Sequence, residues 1–253
     1  MILANNGCAL CYLLAICLVI AGCNQTRIQM LSAISEAPFP EIYPSSEVKL
    51  EFHGEWTRQH YKERVKNFKK TPLSEEDIVF IGDSITEGGG DWGKRFNIKN
   101  IKNRGISGDV SDGVLLRIGE ILYFKPKAIF LMIGFNDVNN IHYQKQIPST
   151  EYVTNTIIDL THKLGQGSPG TQVFVQSILP CKRAYINTMI HDINTALALE
   201  FKESSIVFID LHSHFKDEHG NMLEHLTYDG VHLNEMGYQV WTKQVYPFVK
   251  GLH

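Results

Sequence analysis

The body of this chain is nearly without cysteine. Four of the five cysteines (Cys8, Cys11, Cys17 and Cys23) fall in the first 23 residues, and only Cys181 lies beyond them. That excludes a disulfide framework, and a single thiol with no second body cysteine reads as a buried or partly buried bystander. A basic excess is also missing. Lys and Arg number 24 against 27 Asp and Glu, a formal net charge of −3, so there is no electrostatic footprint for nucleic acid. The charges are mixed along most of the chain and read as solvated faces. No Gly-Lys-Ser/Thr follows Gly88-Gly89-Gly90, which therefore reads as a helix break or loop and not as a phosphate cradle. There is no internal repeat and no second core. At 253 residues and 43% hydrophobic content, the chain suits one α/β domain with additions.

The apolar run from Cys8 to Gly22 falls short of the ~20 residues a bilayer-spanning helix needs and fits the apolar core of a secretory signal. It ends Ile20-Ala21-Gly22-Cys23, which resembles the bacterial lipoprotein signal and implies lipidation of Cys23. Met1 to Gly7 departs from that pattern, since it carries no Lys or Arg. An uncleaved anchor and a soluble secreted form are the alternatives, and each reading places the body outside the cytoplasm. The expected organisation is a signal peptide over 1–22, a tether over 23–48 and one folded domain over 49–253. The tether holds Pro38, Pro40 and Pro44 and would span about 25–30 Å as a flexible chain.

In the body, Trp56, Tyr61, Val65 and Phe68 predict an amphipathic helix in which Trp56 and Tyr61 are packing residues. Ile78 to Ile81 is a short apolar strand, and Gly82 permits a tight turn onto Ser84. Lys99 to Arg104 is a second, weaker strand. Val114, Leu115, Ile118, Ile121 and Leu122 give one helix a single apolar face, with Asp109 or Ser111 as its cap. Ala128 to Ile133 is apolar throughout, as in a strand buried on both faces. A helix over 151–164, a loop over 165–170, a strand over 172–179, a helix over 185–201, a strand over 206–211 and a helix over 234–249 complete the pattern. Residues 138–150 and 180–190 are expected to be loops flanking a cleft. Alternating strands and helices mean right-handed crossovers and a parallel sheet between helical layers.

Three of the turns after strands carry a polar group: Ser84, the Gly108 N–H and Asn136. In a parallel sheet these strand ends share one edge. Asp229 and His232, three apart ahead of the last helix, can point the same way. Each feature alone has a bland reading, because serines cap helices and an Asp and His three apart can be a turn pair.

Together, Gly82-Asp83-Ser84, Gly108 within Ile-Ser-Gly-Asp, Gly134-x-Asn136-Asp137 and Asp229-x-x-His232 resemble, in order, the four blocks of the SGNH, or GDSL, hydrolase superfamily. The flanks Asn103 to Asp109 and His232 to Tyr238 look most like its platelet-activating-factor acetylhydrolase-like branch. The resemblance implies a three-layer flavodoxin-like sandwich with a five-stranded parallel sheet, order 2-1-3-4-5. It also implies esterase activity with no metal or other cofactor. Ser84 would be the nucleophile, His232 the base and Asp229 its orienter, with Ser84 N–H, Gly108 and Asn136 as oxyanion donors. No lipase-type Gly-x-Ser-x-Gly elbow is present, which argues against an ordinary α/β-hydrolase. Asp83 and Asp137 read as structural hydrogen-bonders, and the histidines at 212, 214, 219 and 225 read as surface or loop residues in preference to a zinc site. The expected substrate is an O-acyl ester, acetyl or short-chain, on a glycan or small molecule. A lysophospholipid esterase and a catalytically silent glycan binder are the alternatives. A membrane is expected as a partner only through the lipid anchor, nucleic acid is not, and the oligomeric state is left open.

Overall fold

Five short strands form the frame: β1 (Ile78–Gly82), β2 (Ile101–Gly105), β3 (Ala128–Met132), β4 (Gln172–Gln176) and β5 (Val207–Ile209). They make one all-parallel sheet in the order 2-1-3-4-5, as expected. The computed structural model describes residues 42–49 and 51–252. The expected signal, Cys23 and the tether as far as residue 41 lie outside the described residues. The compact unit begins at Tyr43, short of the expected start at Lys49, and the Tyr43 hydroxyl donates to Glu120 at 2.9 Å.

The sheet is buried on both faces because its central strands are apolar at every position. β1 and β3 have no exposed residue. Side chains alternate across a strand, so Ile78 and Phe80 of β1 share a face with Ala128, Phe130 and Met132 of β3. On that face Phe80, Phe130 and Phe174 stack from strand to strand, with ring centroids 4.8 and 4.4 Å apart. Two helices cover them. The α3 helix (Trp92–Phe96) lays Trp92 on Phe80 at 4.5 Å, and the α9 helix (Glu235–Lys250) contributes Trp241, Val245 and Val249. Asn234 caps α9 as expected, accepting from Gly237 N–H at 3.0 Å. Against β4 packs α7 (Thr150–Gly167), and α8 (Ala184–Glu200) packs against α7.

Several local expectations are corrected. The helix expected over 114–122 is two short ones, α4 (Ser111–Leu115) and α5 (Gly119–Phe124), and neither Asp109 nor Ser111 caps it, since the position before it is Val110. Arg117, at the break, turns its guanidinium inward. Helix α7 continues through Gly165 and Gly167, and Gly167 lies so close to Leu122 of α5 that a Cβ there would come within 2.7 Å of it. Residues 135–143, partly read as loop, form α6 (Phe135–Tyr143). The Asn140 side chain ties off that helix by accepting from Gln146 and Ile147 N–H at 3.2 and 3.0 Å. In α1 (Glu55–Lys70), Tyr61 is buried but Trp56 is 65% exposed, stacked on His60 at 4.9 Å.

Candidate active site

The register puts three strand ends level. Gly82 pairs with Gly105 on one side and with Met132 on the other, so the turns after β1, β2 and β3 open on one edge of the sheet, where parallel α/β sheets bind ligands. Gly82 is needed there for space and not for its turn. A Cβ would sit 2.1 Å from the Met132 carbonyl oxygen and 2.4 Å from the Thr86 hydroxyl.

Ser84 is the first residue of α2 (Ser84–Gly88), a single turn capped by Asp83, whose Oδ1 accepts from Ile85 N–H at 3.0 Å. The first N–H groups of a helix have no partner within it, so Ser84 offers both a hydroxyl and an N–H to the edge. Its Oγ lies 3.0 Å from His232 Nε2. The other ring nitrogen, Nδ1, lies 2.7 Å from Asp229 Oδ2. Asp229 Oδ1 accepts from the N–H groups of Val231 and His232 at 2.9 and 2.8 Å.

The loop carrying these two residues is closed on itself. The Thr227 hydroxyl donates to His232 O and accepts from Gly230 N–H. The Tyr238 hydroxyl on α9 donates to Ile85 O of α2 at 2.8 Å, tying the helix that follows the His232 loop to the one that begins at Ser84. Burial works to raise the Asp229 pKa, but the His232 ring and the two N–H bonds outweigh it and hold the carboxyl at about 2. The dyad is open: His232 and Asp229 side chains are 49% and 53% exposed. The arrangement delivers a hydroxyl proton to an imidazole whose far nitrogen is bonded to a carboxylate.

The turns after β2 and β3 carry Gly108 and Asn136. Gly108 has φ +80°, which only glycine adopts without strain, and a Cβ would also strike Thr57 of α1. Asn136, on α6 just past β3, donates one amide hydrogen to Asp109 O at 2.9 Å. The second hydrogen of that amide is left for a ligand. Thus Ser84, Gly108, Asn136, Asp229 and His232 converge at the sheet edge. Cys23 lies outside the described residues.

The remaining singled-out residues serve the frame. Asp137 is fully buried and accepts from Ser111 N–H and Oγ–H, tying α6 to α4. Burial raises the carboxyls of Asp83 and Asp137 to about 7 each, against the pull of their hydrogen bonds. Cys181 is buried. His212 Nδ1 bonds Ile178 O at 2.9 Å, and burial lowers the His212 pKa.

Two sets of residues escaped the sequence reading. The first is a pair of buried ion pairs, Arg117 with Asp109 at 2.9 Å and Arg104 with Glu120 at 2.8 Å. Arg117 also donates to Arg104 O and Gly82 O, so one guanidinium binds the ends of β1 and β2 to the residue after Gly108. The available signal was a charge at 117 inside an apolar helical stripe. The second is Glu87 on α2. Its Oε2 accepts from Ser107 N–H at 2.6 Å and Ser107 Oγ–H at 2.7 Å and lies 2.9 Å from His60 Nε2, clamping the turn that bears Gly108 to the helix that starts at Ser84.

Comparison with known proteins bears on this geometry. The model of the GDSL-like Lipase/Acylhydrolase family matches residues 80–240. The chain is 26% identical over 228 residues to platelet-activating factor acetylhydrolase IB subunit alpha1 of Rattus norvegicus, covering 86% of this chain and 89% of that one. In fold it is similar to a GDSL-like lipase from Bacteroides thetaiotaomicron, with TM-score 0.63, 22% identity, and 76% and 98% of the two chains covered. It is also similar to a catalytic mutant of an acetylxylan esterase from Geobacillus stearothermophilus, with TM-score 0.57, 17% identity, and 71% and 95% covered.

Proposed function

The chain belongs to the GDSL-like lipase/acylhydrolase family, within the SGNH hydrolases and hence the carboxylic ester hydrolases, and on that premise we propose that it removes acetyl or other short acyl groups from carbohydrate hydroxyls through an acyl-enzyme on Ser84. The observation that carries this reading is the continuous chain of contacts from Ser84 Oγ to His232 Nε2 at 3.0 Å and from His232 Nδ1 to Asp229 at 2.7 Å. Ser84 Oγ attacks the ester carbonyl while His232 Nε2 takes its proton. Asp229 stays ionised, fixes the tautomer and stabilises the imidazolium. The oxyanion is met by the N–H groups of Ser84 and Gly108 and by the Asn136 amide. His232 returns the proton to the departing alkoxide, and water, deprotonated by the same nitrogen, releases the acid and frees Ser84.

Acetyl is the acyl group common to the names of the acetylhydrolase relative and the acetylxylan esterase neighbour. They differ in what carries it, and the lipid-type relative keeps lysophospholipid or lipid acyl esters as the second reading. The carbohydrate reading also draws on the N-terminus, whose Cys8–Gly22 run and Cys23 we take as an export signal and lipid attachment site that would hold the enzyme among surface glycans.

The test is labelling with a fluorophosphonate, together with acid release from a panel of acetylated sugars and lysophospholipids. Adduct on Ser84 and loss of turnover in Ser84→Ala are expected. Full turnover of p-nitrophenyl acetate by Ser84→Ala would refute the nucleophile, and absence of any adduct would favour a silent binder.

A further inference from the structure

Beside the Ser84–His232–Asp229 line opens a cavity of about 470 Å³ bordered by Phe135, Asn139, Lys182, Arg183, Asp229 and His232. Its charges are not balanced. Asp229 is occupied by the His232 ring and two N–H groups. Lys182 Nζ is met by Glu224 at 3.1 Å. Arg183 has no carboxylate partner among the described residues. Its side chain is met by uncharged groups, the Tyr143 hydroxyl at 3.3 Å from Nη1 and the Cys181 thiol, and α8, which it precedes, has no acidic residue in its first turn.

Arg183 is nonetheless firmly placed. Its guanidinium lies 5.8 Å from the Phe135 ring centroid and 5.7 Å from that of Tyr143, over two aromatic faces that favour a cation. Phe135 and His232 border the same cavity, so the charge faces the space beside His232. The backbone before it is tied to the loop carrying Asp229 and His232, since Lys182 N–H donates to Gly230 O at 2.9 Å, and Arg183 N–H makes a local contact with Cys181 Sγ at 3.4 Å. A planar, permanently charged fork with free N–H groups suits a planar or tetrahedral oxyanion.

We propose that Arg183 forms an anion subsite of the catalytic cavity, selecting esters that also carry a carboxylate or a phosphate close to the acylated hydroxyl. This rests on the esterase reading above and adds the charge of the substrate to it.

The test compares kcat/KM on three soluble esters acetylated at the same hydroxyl: a methyl glucoside, its glucuronate counterpart and its phosphate monoester. The wild-type enzyme is expected to favour an anionic ester over the neutral one by about tenfold at low salt, narrowing as salt is added. In Arg183→Gln the ratio should fall towards one, and Arg183→Lys should retain part of it. The ratio is the readout because general damage to the fold lowers both arms alike. Preference for the carboxylate arm alone assigns an acidic sugar, and preference for the phosphate arm alone assigns a phosphorylated substrate. A wild-type ratio near one, or an unchanged ratio in Arg183→Gln, overturns the subsite while hydrolysis of the neutral ester leaves the esterase reading standing. No turnover of any ester, p-nitrophenyl acetate included, brings down the esterase reading and the subsite with it.

Discussion

Replacing Asn136 by alanine separates what this side chain does for the reaction from what it does for the fold. One amide hydrogen is committed to Asp109 O at 2.9 Å, and losing that neutral hydrogen bond costs about 1 kcal/mol of stability. For a domain of this size, that moves Tm down by about 2–4 °C. The other hydrogen has no use in the resting enzyme under the mechanism above, but it meets the oxyanion as it forms. Losing such a donor costs ~10²–10³ in rate, about 2.7–4 kcal/mol. Because the oxyanion exists only in and around the transition state, the loss should fall on kcat and leave KM nearly unmoved. Steady-state kinetics on p-nitrophenyl acetate, paired with a thermal melt of the same sample, reads both numbers. A variant within threefold of wild-type kcat, or one whose rate loss tracks its unfolded fraction, would refute the assignment of Asn136 as a donor.

The frame yields three further expectations. Arg117→Met leaves the fully buried Asp109 carboxylate with His53, at 3.1 Å, but without its arginine, and takes a donor from the Arg104 and Gly82 carbonyls, so denaturant melts should show up to about 3–5 kcal/mol of lost stability, part of it regained when Asp109→Asn is added. Glu87→Ala releases Ser107 and with it the turn bearing Gly108. This should lower kcat by about 10- to 100-fold with little change in KM, and Glu87→Gln, which keeps an acceptor, should lose less. Burial holds the Asp137 carboxyl at about 7 in the fold, against ~3.9 for an unperturbed Asp. Between those values the folded chain retains a proton that the unfolded chain has released. The stability this provides is complete below pH ~4 and drains away as pH rises to about 7, by up to a few kcal/mol. Asp137→Asn should flatten that part of a Tm-against-pH curve, and an unchanged slope would exclude Asp137 as its source.

What could be read in advance follows from which forces leave a local mark. Ile78–Ile81 and Ala128–Ile133 announce strands because burial on both faces demands apolar residues at every position. Ser84, Gly108 and Asn136 could be singled out because each follows a strand, where topology sends it to one edge, and Asp229 and His232 because they stand three apart ahead of the last helix. Charge left little mark beyond the arginine at 117 inside an apolar stripe. Arg104, Asp109, Arg117 and Glu120 look in sequence like the solvated mixture around them, and only the folded chain shows them to be buried pairs. The same holds for α6, an asparagine-rich stretch of weak helix propensity, stabilised by contacts that Asn140 makes beyond its end. Likewise α7 runs through two glycines, and at one of them, Gly167, Leu122 leaves no room for a side chain. Trp56 had every sign of a packing residue, since exposure of a large ring is decided by what the rest of the chain leaves uncovered.

The half-open setting of His232 and Asp229 has one more implication. Once an acyl group rests on Ser84, the imidazole that must activate the second nucleophile is reachable directly from bulk solvent. It has no means of telling a water molecule from a small alcohol arriving by the same route. Methanol added to the assay should therefore divert acyl groups into methyl ester in proportion to its share of the solvent, making the enzyme an acyltransferase by circumstance.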